Sequence, residues 1–242
     1  MKVIIGIGDS WTVGEGSVTI TDKKLKILQR IQLQNQKSWL AMLQNKYYPD
    51  HHVINMAMPG FSNRAAIKNL YFLESDLKKQ ITSGYLIFLL SSWDRFSFVN
   101  SNIQPHDVQK FRTMLPHSFT DPIAKDYFEL VHSENSCVAE TMLAIIEAQN
   151  YAKLNNLKFL FANAFDSRGM LAFQKFPVLL DQIDTSRFLN NNNDPGYDSM
   201  NRLLYSIEIN NNVVLHSPCF HPTDEGYRII ADEIHKFMVT VG

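Results

Sequence analysis

The chain has 242 residues, 45% of them hydrophobic and 12% aromatic, and its formal net charge at pH 7 is -1. This length fits one α/β domain with a sizeable core. The balanced charge argues against a nucleic-acid or membrane partner, and no apolar run reaches the roughly 18 residues that a membrane span needs. Two cysteines are too few for a disulfide framework. The short apolar run before Asp9, with no cleavage site after it, predicts a cytoplasmic protein without a signal peptide.

Apolar runs alternate with helical patterns along the chain. The predicted strands cover residues 3–7, 52–57, 85–90, 157–164 and 211–217. The predicted helices cover residues 38–48, 63–79, 133–155 and a final segment that begins after Thr223. Such alternation predicts a parallel five-stranded sheet with helices on both faces.

Two segments interrupt this pattern, at about residues 95–132 and 167–197. Prolines break the first, where we expect short helices, and the second is irregular. No linker divides the chain, so we predict that residues 1–242 form a single domain with two insertions. The first insertion is a candidate lid, and both are candidate contact surfaces for a partner or for a second copy of the chain.

The first predicted strand ends in a Gly-Asp-Ser turn, and ligands of parallel sheets bind at the carboxyl ends of the strands. A phosphate loop is disfavoured, because Trp11 stands where the dinucleotide fingerprint needs a third glycine and no Lys lies near. Gly8 permits a sharp exit from the strand, which leaves the Ser10 hydroxyl exposed and its N–H unpaired, as a nucleophile requires. The alternative role for Ser10 is to cap the following helix.

A serine nucleophile needs a base within hydrogen-bond reach. His221 lies between the last predicted strand and the last helix, at the same edge of the sheet as Ser10, and Pro222 fits the first turn of that helix. His216 is the alternative base, although its place at a strand end favours a packing or capping role. We therefore predict a catalytic Ser10–His221 pair.

Two sequence blocks carry a resemblance to a known family. "GDSWTVGEG" near the N-terminus and "HPTDEGYRIIADEI" near the C-terminus resemble the first and last blocks of the SGNH (GDSL-type) hydrolases. The resemblance implies a flavodoxin-like three-layer α/β/α fold, ester hydrolysis, and catalytic roles for Ser10 and His221. "INMAMPGFSN" resembles the second block, which implies that the N–H groups of Ser10 and Gly60 form the oxyanion hole.

The remaining family features are only partly present. In "LLSSWDRFSF" only Asp94 matches the family's Gly-x-Asn-Asp, and Trp93 stands where the Asn would donate to the oxyanion. We hypothesise that Asn63 substitutes for it. Pro218 stands where the family has an acid three residues before His221, so we expect a backbone carbonyl or another carboxylate to hold its Nδ1 atom. In this interpretation the wall of the site consists of Asp9, Trp11, Trp93, Asp94 and Arg95.

The segment "SSWDRF", with its Arg, is similar to the corresponding segment of SGNH-like proteins of tailed phages. This similarity points to a phage or phage-derived chain that is incorporated into a virion. The two insertions would then be the surfaces that contact other virion proteins.

The sequence also contains candidate residues for a zinc site and for a glycosidase. "HSPCFH" places His216, Cys219 and His221 in one loop, and all three are zinc ligands, but no fourth ligand and no known zinc spacing is visible. We therefore predict no metal and no cofactor. A paired-carboxylate glycosidase would use acids at the strand ends, namely Asp9, Glu15, Asp94 and Asp224. A turn and a helix start explain the first and last of these acids better.

The favoured hypothesis is a serine esterase of SGNH type that acts through a Ser-His dyad on small acyl esters, such as acetyl groups on a polysaccharide. No long apolar stretch offers a channel for a long acyl chain. Two alternatives stay open: a non-catalytic SGNH-fold structural component of a phage virion, and a carbohydrate-binding module. Four aromatic residues either form a wall for the ligand or pack the loops, namely Trp11, Trp93, Phe96 and Phe98.

Overall fold

The computed structural model describes residues 1–17, 27–73, 75–99, 111–114, 122–165, 169–190 and 198–241. Its strands are β1 (Lys2–Ile7), β2 (His52–Asn55), β3 (Ser83–Leu90), β4 (Phe96–Val99), β5 (Phe111–Met114) and β6 (Leu157–Asn163). Its helices are α1 (Ser10–Val13), α2 (Ile27–Asn35), α3 (Trp39–Tyr47), α4 (Asn63–Leu70), α5 (Ser75–Gln80), α6 (Pro122–Leu130), α7 (Glu134–Leu154), α8 (Gly169–Phe173), α9 (Pro177–Leu180), α10 (Met200–Asn211) and α11 (Asp224–Val241).

Four of the strands form one parallel sheet in the order β2-β1-β3-β6. β1 lies between β2 and β3, with Ile4 opposite Val53 on one side and Tyr85 on the other. The apolar runs of β1, β3 and β6 are almost entirely buried, as parallel strands covered by helices require. Because the strands are parallel, their carboxyl ends meet at one edge of the sheet, and the loops that follow them meet there too.

Helices cover both faces of this sheet. Val3, Ile5 and Ile7 of β1 pack in one apolar cluster with α4 and α7. Ile4, between them, packs in a second cluster with α3, α10 and α11. This division follows from the two-residue period of a strand, which sends successive side chains to opposite faces. The prediction of a parallel sheet flanked by helices is confirmed.

The predicted fifth strand, residues 211–217, is wrong. α10 extends to the start of this segment, and Asn212 ends the helix with a left-handed backbone whose φ is 52°. The chain then follows the surface, where Val214 is 77% exposed, and an isolated bridge joins His216 to Pro222. The β-branched pair in this segment imitates a buried strand, but in the described part of the chain the sheet has four strands.

The described parts of the two predicted insertions contain regular elements. The first holds α6 and also β4 and β5, which pair antiparallel with Phe96 opposite Met114 and which the sequence pattern does not indicate. The second holds α8 and α9. The remainder, at residues 100–110, 115–121, 166–168 and 191–197, lies outside the described residues. The single-domain organisation and the lid and contact roles of the insertions stay predictions.

Candidate active site

The turn after β1 places Ser10 at the start of α1. Gly8 has a φ of 151°, and a Cβ there would lie 2.6 Å from the carbonyl oxygen of Leu89, so the turn requires glycine. Asp9 caps α1, because its Oδ1 atom accepts a hydrogen bond of 3.1 Å from the backbone N–H of Trp11. The first N–H groups of a helix have no intrahelical partner, and that of Ser10 makes no hydrogen bond within the described residues.

The loop before α11 brings His221 to this turn. The Oγ atom of Ser10 lies 2.9 Å from Nε2 of His221, although 211 positions separate the two residues along the chain. Two hydrogen bonds from Ser217 hold the carbonyl oxygen of His221, one from its backbone N–H at 2.8 Å and one from its hydroxyl at 2.9 Å. The structure therefore brings together the serine and the histidine that the sequence analysis pairs.

The other ring nitrogen fixes the protonation pattern of this histidine. Nδ1 of His221 lies 3.0 Å from the carbonyl oxygen of Cys219. A carbonyl oxygen only accepts, so the neutral ring carries its hydrogen on Nδ1 and leaves Nε2 free to accept from the Ser10 hydroxyl. A backbone carbonyl thus occupies the place of the missing acid, one of the two possibilities that Pro218 leaves open.

The first and last sequence blocks interlock around this contact. A Cβ at Gly16 would lie 2.6 Å from Cβ of His221, so the two loops touch. The hydroxyl of Tyr227 donates to the carbonyl oxygen of Glu15 at 2.8 Å, and burial together with the nearby carboxylates of Asp9 and Glu15 keeps the pKa of Tyr227 well above its ordinary value. The Glu15 carboxylate lies 3.5 Å from Nε2 of His221. Glu15 shares the turn with Ser10, but its position in the sequence does not by itself indicate a role in the esterase site.

Asp9 connects the Ser10 turn to the loop after β3. Its side chain is fully buried. Its Oδ2 atom accepts a hydrogen bond of 2.9 Å from the Ser91 hydroxyl and one of 2.6 Å from the Arg95 guanidinium. The guanidinium also lies over the ring of Phe165, 5.4 Å from its centroid. A buried carboxylate needs such partners, so Arg95 is an electrostatic support of the turn.

The loop after β2 supplies the candidate oxyanion donor. Gly60 has a φ of 79°, and apart from Gly60 and its chain neighbours no described residue has an atom within 4 Å of the place that its Cβ would occupy. Its N–H makes no hydrogen bond within the described residues. Asn63 does not fit the donor role that we hypothesise for it, because its amide nitrogen donates to the carbonyl oxygen of Ser91 and to the hydroxyl of Thr141, each at 3.2 Å. Both amide hydrogens are thereby used, and Asn63 is a structural link between α4, β3 and α7.

The predicted wall is divided between core and site. Trp93 is 3% exposed and stacks on Phe173, with 5.8 Å between the ring centroids. Trp11 is equally buried and meets Phe165 edge to face. Both tryptophans pack the interior, so they offer a ligand no open face. Asp94 accepts a hydrogen bond from the Ser92 hydroxyl at 2.5 Å and braces its own loop.

His216 takes no part in the contact between Ser10 and His221. Its Nδ1 atom lies 2.9 Å from the Glu208 carboxylate and its Nε2 atom 3.1 Å from the side-chain oxygen of Asn201. Its ring stacks on Tyr205 at 4.4 Å. Burial opposes ionisation of Glu208, but hydrogen bonds from the backbone of Leu215 and from His216 outweigh it, so the pKa of Glu208 lies below its ordinary value. His216 is packed, and with Glu208 it anchors the loop that carries His221.

The other two chemistries find no support in the geometry. His216 and His221 face different partners, and no group of three possible metal ligands occurs within the described ranges. Of the candidate glycosidase acids, Asp9 is paired with Arg95, and Asp224 pairs at the surface with Lys37 at 3.1 Å.

An open groove of about 680 Å³ lies elsewhere, where α4 and α5 face α7. It is lined by Tyr71, Lys78 and Tyr151 among others, and contains neither member of the dyad. None of the helices that the structure describes is long and apolar enough to cross a membrane.

No family model matches the chain, and no curated protein matches it. Solved structures match it over nearly its full length. A lipolytic protein of the G-D-S-L family from Desulfitobacterium hafniense DCB-2 is similar with a TM-score of 0.51 and 12% identity, over 98% of this chain and 99% of that chain. The lipase/acylhydrolase from Enterococcus faecalis has a TM-score of 0.50 and 13% identity, over 98% and 94%. A carbohydrate esterase, with an active site of divergent catalytic and non-catalytic binding functions, has a TM-score of 0.51 and 14% identity, over 98% and 68%. The chain therefore has the α/β fold of GDSL-type lipolytic proteins.

Proposed function

We propose that the protein is a serine esterase of the SGNH type, with Ser10 as nucleophile and His221 as general base. One observation carries the proposal: the Ser10 hydroxyl lies 2.9 Å from Nε2 of His221, while a carbonyl oxygen holds the opposite ring nitrogen. A nucleophile, a base within hydrogen-bond reach and a third group that orients the base are the parts that acyl transfer needs.

In the first half of the proposed reaction, Oγ of Ser10 attacks the carbonyl carbon of the ester while Nε2 of His221 takes the hydroxyl proton. The carbonyl oxygen becomes an oxyanion, which the unpaired N–H groups of Ser10 and Gly60 are available to bind. The carbon–oxygen bond to the alcohol then breaks, and His221 returns the proton to the departing alcohol. An acyl group remains on Ser10.

In the second half, water replaces the alcohol. His221 takes a proton from the water as its oxygen attacks the acyl carbon, and the same N–H groups bind the second oxyanion. The bond to Oγ breaks, Ser10 regains its proton from His221, and the carboxylic acid leaves. Each half returns the histidine to its neutral form.

The Cys219 carbonyl orients His221 but carries no full charge to balance the imidazolium that forms in each half. In a triad built around an acid, replacing the acid by its amide costs about 10⁴ in rate, mainly through the wrong tautomer. A carbonyl acceptor selects the correct tautomer, so we expect a smaller loss of rate here. Glu15, 3.5 Å from Nε2, is the nearest described carboxylate to the imidazolium.

The proposed substrates are small acyl esters, including acetyl groups on a glycan. Ser10 is 5% exposed and lies at the edge of the sheet, and the tryptophans near it are buried rather than arranged as an acyl channel. The similarity in fold to a carbohydrate esterase agrees with a glycan substrate without identifying it. We propose action in a cytoplasm or as part of a virion, with no cofactor.

Hydrolysis of p-nitrophenyl acetate by purified wild type, Ser10→Ala and His221→Ala tests the proposal. We expect both variants to lose at least about 10³ of kcat. Ser17→Ala and His52→Ala are the matched controls, since the Ser17 hydroxyl bonds to the carbonyl oxygen of Gly14 and His52 is exposed. Equal rates for wild type and Ser10→Ala would remove Ser10 as nucleophile.

The alternative is a non-catalytic protein with the same fold, such as a structural or carbohydrate-binding component of a phage virion. It predicts that wild type hydrolyses no ester above the rate of Ser10→Ala and that glycan binding survives that substitution. The favoured proposal rests on the intact Ser10–His221 contact, which a purely structural component does not need.

A further inference from the structure

The proposed oxyanion hole has two backbone donors, and the two residues that stand in the sequence as candidates for a third are engaged elsewhere. Asn63 uses both amide hydrogens on Ser91 and Thr141. Trp93, which stands where the SGNH family has its Asn, packs into the core against Phe173. A side-chain donor to the oxyanion must therefore come from another residue at the same edge of the sheet.

Arg95 connects the two turns that carry the backbone donors. Its Nη1 atom lies 2.6 Å from Oδ2 of Asp9, the residue before Ser10. The same nitrogen lies 3.5 Å from the carbonyl oxygen of Phe61, the residue after Gly60. The guanidinium thus links the Ser10 turn to the Gly60 turn, the two turns whose N–H groups form the proposed oxyanion hole.

The guanidinium also has donors to spare. It carries five N–H groups in a fixed plane, and within the described residues its hydrogen bonds, to Asp9 and Phe61, both use Nη1. The Phe165 ring covers it and its side chain is 17% exposed, so it is held in place yet reachable from solvent. Asp9 balances its charge in the resting site, which leaves the spare N–H groups suited to a neutral carbonyl oxygen that becomes negative during the reaction.

We propose that Arg95 is a catalytic residue, whose spare N–H groups donate to the oxyanion alongside the N–H groups of Ser10 and Gly60. This inference rests on the proposed esterase function. Arg95 makes and breaks no covalent bond and exchanges no proton. It supplies a side-chain donor where Trp93 supplies none. This donor carries a full positive charge, whereas the Asn of the family has an amide dipole.

The competing explanation is that Arg95 only neutralises the buried Asp9 carboxylate. Arg95→Gln alone does not separate the two, because it leaves that carboxylate without its cation and destabilises the fold under either explanation. The decisive comparison is Asp9→Asn against Asp9→Asn/Arg95→Gln. Asparagine keeps the oxygen that caps α1 and removes the charge that requires the cation.

We expect the double variant to have a kcat about 10² below that of Asp9→Asn, with KM changed less than about threefold, because the lost bond forms in the transition state. Phenylboronic acid, which forms a tetrahedral adduct with a serine, should bind the double variant about 10²-fold more weakly than Asp9→Asn. Equal kcat and equal boronate affinity in the two variants, with equal unfolding midpoints, would reduce Arg95 to a structural role. A wild type no faster than Ser10→Ala would overturn the esterase proposal and this inference with it.

Discussion

Ser10 and His221 are in contact, yet the regions that hold them differ in kind. The Ser10 turn is buried, and its position follows from a glycine that no other residue can replace and from Asp9, which bonds to Ser91 and Arg95. The His221 loop is exposed and irregular. Hydrogen bonds to the Glu208 carboxylate and from the Ser217 hydroxyl hold it in place. The core places Ser10, whereas a few hydrogen bonds at the surface place His221.

This difference predicts that a substitution that disturbs the backbone of the Ser10 turn lowers stability strongly, while substitutions in the His221 loop change activity with a smaller loss of stability. Five predictions, given from the largest expected effect to the smallest, test the contrast.

Gly8→Ala should have the largest effect. The added Cβ would meet the Leu89 carbonyl oxygen at 2.6 Å, and the φ of 151° is unfavourable for alanine. We expect a loss of about 3 kcal/mol in the free energy of unfolding, measured by chemical denaturation. Gly60→Ala is the control, because its Cβ has open space and only its positive φ costs about 1 kcal/mol. Equal losses for the two would contradict the assignment of the clash.

Glu208→Ala should loosen the His221 loop. The substitution removes the acceptor of the backbone N–H groups of Leu215 and His216, at 2.6 and 2.8 Å, and the partner of the His216 ring. We expect a loss of about 2 kcal/mol in unfolding free energy, and a fall in kcat greater than that of the exposed control Asp76→Asn. An unchanged kcat would show that the loop does not depend on Glu208.

The stabilisation by Glu208 should also depend on pH. Its pKa in the folded protein lies below its ordinary value of 4.5, so its ionised form contributes stability above that value. The contribution disappears as the pH falls through the folded pKa. The difference in unfolding free energy between wild type and Glu208→Gln should therefore be constant near neutrality and shrink below about pH 4.5. A difference that grows in acid would reverse the sign of the coupling.

Glu15→Gln should lower kcat about fivefold, the effect of about 1 kcal/mol that a partly exposed ion pair provides. The carboxylate lies 3.5 Å from Nε2 of His221, where it would balance the imidazolium of the proposed reaction. The effect should shrink at high salt, which screens exposed charges. A salt-independent loss would indicate that Glu15 contacts the substrate instead.

Phe220→Gly should have the smallest effect on stability, and of opposite sign. Phe220 has a φ of 62° and is 73% exposed, so its backbone is strained and its side chain covers little apolar surface. We expect a gain of about 0.5 kcal/mol in unfolding free energy. Asn212→Gly is the control, since asparagine tolerates its φ of 52°. A loss of stability would show that the ring packs against the loop.

The sequence predicts the buried strands and the dyad because both follow from general rules. Continuous apolar runs indicate parallel strands, and the carboxyl ends of such strands bring distant loops together. The Cys219 carbonyl has no sequence signature, since every residue has a carbonyl group and only the loop conformation aims this one at His221. The predictions of Asn63 as an oxyanion donor and of a strand after α10 fail for the same reason. A side-chain amide or a β-branched pair shows which roles a residue is able to take, and tertiary contacts decide which role it takes.

Because Ser10 and His221 lie far apart in the sequence, the proposed esterase activity would also report when distant parts of the chain come together during folding. β1 lies inside the sheet between β2 and β3, and the dyad closes a loop of 211 positions, the kind of distant contact that forms late in folding. Regain of the proposed esterase turnover during refolding would therefore report the docking of the loop before α11 against the Ser10 turn.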